Sequence, residues 1–174
     1  MSKAVMLSIR PKWCEKIARG EKTIEVRKTR PKMNTPFKCY IYRTKGTVPH
    51  IINDKWVQME VGGTVIGEFT CDRIDRLAPA NEPYGIYDID DDYVLQTCLE
   101  NGALWDYGHG TPLYGWHISD LKIYDPLKKL SEFKGLCKVE SDCCACPHYN
   151  YNKMDCDGRA IKRPPQSWCY VEAM

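Results

Sequence analysis

Gly20-Glu21-Lys22-Thr23-Ile24-Glu25-Val26-Arg27 is the stretch on which the reading of the chain turns, because the hydrophobic period changes there from helix to strand. Before it, Pro11 suits the first turn of a helix and Gly20 its end, with Trp13, Cys14, Ile17 and Ala18 on one face and Glu15 four residues ahead of Arg19. From Lys22 to Lys28 the period becomes two. Ile24 and Val26 point one way, and Thr23, Glu25 and Arg27 the other. A glycine turn thus delivers a lysine, a carboxylate and an arginine at the start of a strand, where Glu25 and Arg27 can pair or flank one ligand. Taken alone, the same pattern also fits an exposed strand carrying a surface salt bridge.

Outward from this stretch the elements are short. Ala4–Ile9 reads as a buried strand and Phe37–Thr44 as an aromatic-rich one. Residues 45–63 form a loop or irregular hairpin ending at Gly62-Gly63, and Thr64–Leu77 reads as a strand bent at Gly67. Asp90 is placed to cap a helix that runs to Asn101 and closes at Gly102. Two strands follow near Trp116–Ile118 and Leu121–Tyr124, and Gln166–Val171 forms the last. Five or six short strands with two helices predict an α+β fold, a small mixed β-barrel over residues 4–135 and 166–172. The segment 136–165, rich in Cys, Asp and Pro, is an excursion within this single domain of 1–174. Because a strand of the barrel follows it, it is not an independent tail.

The 174 residues are enough to bury a real core. A formal charge of +2 makes no demand for nucleic acid, but residues 10–32 carry nine basic side chains against three glutamates. Such a face can steer a phosphate ligand. No segment has the roughly 18 apolar residues of a membrane span. The start, Met1-Ser2-Lys3-Ala4-Val5, lacks the apolar stretch of an export signal, which predicts a cytoplasmic protein with reduced cysteines.

The ten cysteines divide into two sets. Cys14, Cys39, Cys71 and Cys98 stand singly inside expected helices or strands, where small buried hydrophobes fit, and Cys169 fits a core position in the last strand. Cys137, Cys143, Cys144, Cys146 and Cys156 crowd together with His148. Cys143-x-x-Cys146 supplies the close pair a tetrahedral Zn²⁺ site uses, with Cys137 before it and Cys156 after it. Cys144 and His148 are substitute ligands. The segment holds little apolar material, so a structural Zn²⁺ would supply folding energy that a core does not. Reduced surface thiols or a redox-active pair are the other readings of the same cluster. Asp88-Ile89-Asp90-Asp91-Asp92 mimics the opening of a Ca²⁺ loop but has Tyr93 where glycine is needed and Leu99 where glutamate is, so it reads as a charged helix start.

Gly20, Lys22, Glu25 and Arg27 match the G-x-K-x-x-E-x-R motif, and through it the chain resembles the ASCH family, a branch of the PUA-like β-barrels. Leu7-Ser8-Ile9-Arg10-Pro11 is similar to that family's strand-to-helix junction. The segment from Gly115-Trp116-His117-Ile118 to the end, with Arg163 to Glu172, resembles a subgroup found in bacterial and phage-type genomes. The resemblance implies a cleft lined by the motif's lysine, glutamate and arginine that binds RNA or nucleotides. Some ASCH-like proteins are amidohydrolases of an acetylated cytidine, using the motif lysine with a threonine and a separate glutamate; this chain keeps Lys22 but has Glu25 at the threonine's place. Other relatives are ribonucleases.

The expected function is therefore an RNA- or nucleotide-binding module. Arg10, Lys22, Arg27 and Lys28 would engage phosphate or carbonyl oxygens, Glu25 would accept from a base or orient Arg27, and Trp13 or Trp116 would stack on a base. A hydrolase using Lys22 and Glu25 is the alternative, and a zinc-stabilised protein-interaction domain is a third.

Overall fold

The computed structural model describes residues 2–80, 86–136, 149–150, 152, 155–156 and 159–174. The elements in chain order are β1 (Lys3–Ile9), α1 (Pro11–Ala18), β2 (Ile24–Arg27), β3 (Phe37–Arg43), β4 (Gly46–Ile52), β5 (Lys55–Val61), β6 (Thr64–Cys71) and β7 (Ile74–Leu77). They continue with α2 (Asp91–Thr97), α3 (Asn101–Gly108), β8 (Leu113–His117), β9 (Ser119–Lys129), β10 (Tyr149–Asn150), β11 (Asp155–Cys156) and β12 (Trp168–Glu172). The α+β class holds. A closed barrel does not: among the described residues the main strands form a five-stranded sheet, β12-β1-β3-β6-β9, and a three-stranded one, β2-β8-β7. The long strand expected over Thr64–Leu77 breaks after Cys71, and its second half, β7, pairs with β8 in the other sheet.

β1 is the central element. Ala4 through Ile9 are all buried, because both faces of the strand are covered. Val5, Leu7 and Ile9 join Cys14 and Ile17 of α1, Phe37, Cys39, Phe69 and Trp116 in one cluster. Ala4 and Met6 face the opposite way, into a second cluster with Tyr40, Tyr42, Val65, Phe133 and Val171. A strand covered on both faces needs a continuous apolar run rather than an alternating one, and that is what this segment has. β1 runs parallel to β3 and antiparallel to β12, so the last strand is part of the sheet despite the long excursion before it. The Arg159–Glu172 ion pair also ties residue 159, within the returning part of the excursion, to β12.

Gly67 sits at a register shift between β6 and β9, where the expected bend falls. A Cβ there would run into the carbonyl oxygen of Lys122, so the approach of the two strands requires glycine. Residues 46–61 form a complete hairpin, β4–β5, turned by Asn53 and Asp54 with φ of 51° and 59°. Most of its apolar side chains are exposed, Trp56 at 72%.

The helix expected from Asp90 to Asn101 is two helices. Asp90 does cap the first, its side chain accepting from the Tyr93 amide at 2.8 Å. That helix ends at Thr97 because Cys98 is left-handed, φ 53°, and Gly102 lies inside α3 rather than closing α2. α2 and α3 cover the outer face of the three-stranded sheet through Val26, Leu77, Tyr87, Leu104 and Leu113. Cys14, Cys39 and Cys71 are buried in the core as expected, whereas Cys98 is half-exposed in the bend between the helices.

Candidate functional site

The motif occupies the junction of the two sheets. α1 starts at Pro11, ends at Ala18, and turns out through Gly20 at φ +75°, a left-handed conformation that favours glycine. This turn lays β2 antiparallel to β8, with Glu25 opposite Trp116 and Arg27 opposite Tyr114. All four residues of β2 are buried, so the alternation seen in the sequence does not separate a dry face from a wet one. Ile24 and Val26 pack as core, and Glu25 and Arg27 are enclosed by polar partners instead.

Those partners form a continuous network. Arg27 Nη2 is 3.0 Å from Glu25 Oε1 and donates to the Ser8 carbonyl at 2.8 Å. Arg27 Nη1 reaches the carbonyl and hydroxyl of Ser167 at 3.5 and 3.4 Å. Ser8 Oγ in turn donates to the Pro165 carbonyl at 2.6 Å. One guanidinium therefore links β2 of the small sheet to β1 and to the approach of β12 in the large one. The other oxygen of Glu25 is 3.5 Å from Lys22 Nζ. Lys22 is only 2% exposed, and its Nζ donates to the Thr97 carbonyl at 2.5 Å. Burial pushes the Lys22 ammonium below its ordinary pKa, with Glu25 pulling the other way.

Over this network lies an open cleft of about 510 Å³, lined by Ser8, Arg10, Trp13, Lys22, Glu25 and Arg27 on one side and by Thr44, Ala103, Tyr107 and Ser167 on others. The volume is that of an ordinary ligand site. Ala103 and Tyr107 are four apart on α3 and present one face to it. Lys28 sits at the rim, its Nζ 5.0 Å from the centre of the Tyr107 ring. Trp13 is half-buried, with Lys12 and Lys22 ammonium groups 4.8 and 5.1 Å from its ring centre.

Of the residues singled out in the sequence, Arg10, Trp13, Lys22, Glu25 and Arg27 line the cleft and Lys28 borders it. Trp116 is a correction. It is fully buried, edge-on to Phe37 at 5.8 Å and tilted against Trp168 at 6.1 Å, so neither face is open to a base. The cause is register: its partner Glu25 faces the inter-sheet space, and a ring on the same face is core. Cys14 is buried in the core beneath the cleft, and burial pushes its thiol up to about 12.

Sequence reasoning missed Ser8, Thr44, Thr97, Tyr107 and Ser167. Ser8 and Ser167 lay within the stretches that carry the family resemblance, but nothing in the spacing marked them as partners of Arg27. Thr97 acts through its backbone carbonyl, which no side-chain pattern reveals. Of the expected metal ligands, Cys137, Cys143, Cys144, Cys146 and His148 lie outside the described residues. Cys156 is half-buried in β11, paired with Tyr149. Among the described residues no cluster of three metal-ligating side chains occurs, and no helix is long and apolar enough to cross a membrane.

Solved structures share this fold. The ASCH protein from Zymomonas mobilis superposes with a TM-score of 0.58 at 18% identity, over 97% of this chain and 87% of that one. A serine-to-alanine variant of the same protein gives 0.59 at 17% identity, over 97% and 88%. A tyrosine-to-phenylalanine variant gives 0.56 at 18%, over 98% and 91%. No curated protein matches the chain. The ASCH domain family model matches residues 7–128, a span that runs from the end of β1 through nearly all of β9 and holds every motif residue at the floor of the cleft, and the chain belongs to the ASCH family.

Proposed function

We propose that the cleft binds single-stranded RNA or a nucleotide, as a PUA-like module. The observation that carries this reading is the buried Lys22–Glu25–Arg27 set at the floor of an open cleft. Two cations share one carboxylate there, and Arg10 adds a further positive charge at the wall. A polar set this deep costs stability relative to apolar packing, and its place beneath an open cavity is what a ligand site requires. The concave shape argues against a flat protein-interaction surface. Arg27 Nε is buried and lacks a hydrogen-bond partner among the described residues, a deficit folded proteins seldom keep away from functional sites.

Fluorescence anisotropy with a labelled single-stranded RNA octamer tests the proposal. Affinity falls with salt, with a log–log slope of about −0.7 per phosphate neutralised. Arg10→Ala, an exposed change that leaves the fold alone, and Lys22→Ala each weaken binding. Binding that ignores salt and both substitutions would place the site elsewhere.

A hydrolase acting on modified nucleosides or RNA is the second reading, favoured by the depressed pKa of Lys22 beside a carboxylate at 3.5 Å. Against it, the Lys22 amine is committed to the Thr97 carbonyl. Turnover of an acetylated cytidine is expected to stay at background. Turnover lost in both Lys22→Met and Glu25→Gln, by at least ~100-fold as for loss of a general acid or base, would favour the enzyme.

We also propose a structural Zn²⁺ held by Cys137, Cys143, Cys146 and Cys156, with Cys144 or His148 as substitutes. The pairing of Cys156 with Tyr149 supports this donor set. It sets Cys156 across the ladder from Tyr149, itself one residue after His148 and three after Cys146, which three residues of extended chain place within ~11 Å. Bound there, the ion would cross-link the excursion that leads back to β12.

A further inference from the structure

We infer that the ligand of the cleft is a nucleotide chain of at least two units, whose neighbouring phosphate is held in a second, basic cavity formed by Arg43 and Lys45. The inference deepens the nucleic-acid reading of the cleft and rests on it. The second cavity, of about 650 Å³, opens at the root of the β4–β5 hairpin and is lined by Arg43, Lys45, Gly46, Thr47, Glu60, Val61 and Gly62. The two cavities share one wall. Thr44 lines the first, and its chain neighbours Arg43 and Lys45 line the second. The two cavities thus adjoin at the end of β3, where consecutive residues of one chain segment line first one and then the other.

The backbone holds this wall in place. β3 ends at Arg43, Thr44 N donates to the Ile9 carbonyl at 2.9 Å, and Gly63 N donates to the Arg43 carbonyl at 2.8 Å. A Cβ at Gly62, φ +102°, would strike the Thr44 carbonyl, so glycine is what lets the returning hairpin strand close on the partition. At the other side, a Cβ at Gly46 would meet Pro11 Cγ at 3.3 Å, which sets the hairpin root against the start of α1, beside Arg10.

The charges of this cavity are unspent. Among the described residues neither Arg43 nor Lys45 forms an ion pair, unlike Arg27, Lys22 and Lys38. Arg43 Nε is buried without a hydrogen-bond partner, and so is the hydroxyl of Thr64, the residue opposite Arg43 in the β3–β6 ladder. Glu60 is the one carboxylate in the lining, so two cations face one anion. Two cations facing a single carboxylate favour an anion with several acceptor oxygens, and a phosphodiester beside the first cleft is such a group.

The test uses the whole chain with two probes, uridine 5′-monophosphate and the 5′-phosphorylated uridine dinucleotide, titrated by calorimetry. The dinucleotide is expected to bind at least ~10-fold tighter, with a salt slope steeper by about 0.7 for the added phosphate. Arg43→Ala with Lys45→Ala removes that gain and leaves the mononucleotide affinity within twofold. Lys45→Ala alone, at an exposed position, gives part of the same loss and guards against misfolding. Dinucleotide binding that needs Lys22 but ignores Arg43 and Lys45 overturns this inference and leaves the cleft reading standing, as does a dinucleotide no tighter than the mononucleotide. Affinity for both probes that ignores Lys22→Ala overturns the cleft reading and this inference together.

Discussion

Lys22 Nζ lies 2.5 Å from the carbonyl oxygen of Thr97, closer than its 3.5 Å from Glu25. Thr97 is the last residue of α2, where carbonyls lack intrahelical partners and carry the negative end of the helix dipole. The motif lysine therefore closes a helix 75 residues away in the chain while standing at the floor of the cleft.

That position makes Lys22 a pH-dependent element of the fold. Its folded pKa lies below the value of about 10.5 that it regains on unfolding. Between the two values the unfolded chain binds more protons, so stability rises with pH across that window, and the penalty for the buried charge is fully present below the folded pKa. Lys22→Met removes this dependence. Urea unfolding of both proteins from pH 7 to 10.5 should show the wild type gaining on the variant as pH rises. A stability difference that stays flat, or that grows in the variant's favour, would contradict the burial argument.

Glu25 is the common partner of both buried cations, and its removal is expected to cost the most. Glu25→Gln leaves Lys22 and Arg27 without a counter-charge, at about 3–5 kcal/mol, the range for breaking a buried pair from one side. Lys22→Met leaves Glu25 paired with Arg27 and should cost less. Denaturant midpoints rank the two, and the reverse order would mean that the network is not centred on the carboxylate.

The two tryptophans near the motif separate stability from binding. Trp116→Ala opens a hole between the sheets and is expected to destabilise by about 3–5 kcal/mol. Trp13→Ala, half-buried at the cleft, should cost much less in stability yet weaken RNA binding, since a base stacked on an aromatic ring contributes about 1–3 kcal/mol. Equal binding by wild type and Trp13→Ala would remove Trp13 from the ligand contacts.

Metal content tests the cysteine cluster. Elemental analysis after expression in zinc-containing medium should find about one Zn²⁺ per chain, lowered sharply by Cys146→Ser or Cys156→Ser and unchanged by Cys39→Ser, whose thiol is wholly buried. Chelation should loosen the excursion before the sheets. Protein without stoichiometric zinc would leave the cluster as reduced thiols.

Local chemistry was written plainly in the sequence. Pro11 and Gly20 bound α1, Asp90 caps α2, Gly67 marks the bend against β9, and Ala4–Ile9 announces a strand covered on both faces. Each rests on a residue's own steric or hydrogen-bonding preference, which sequence carries directly. The motif placed Lys22, Glu25 and Arg27 together because they lie within six residues of one turn and strand. What sequence could not decide was the far side of each contact. The partners of Arg27 are Ser8 and Ser167, and that of Lys22 is Thr97, separated by 19, 140 and 75 residues. The division of residues 64–77 between two sheets, and with it the open junction in place of a closed barrel, follows from which strand edges meet. The burial of Trp116 follows from the cross-strand register that sets it opposite Glu25. Backbone carbonyls as ligands, inter-sheet geometry and register all depend on long-range packing, so only the folded chain brings the cleft into being.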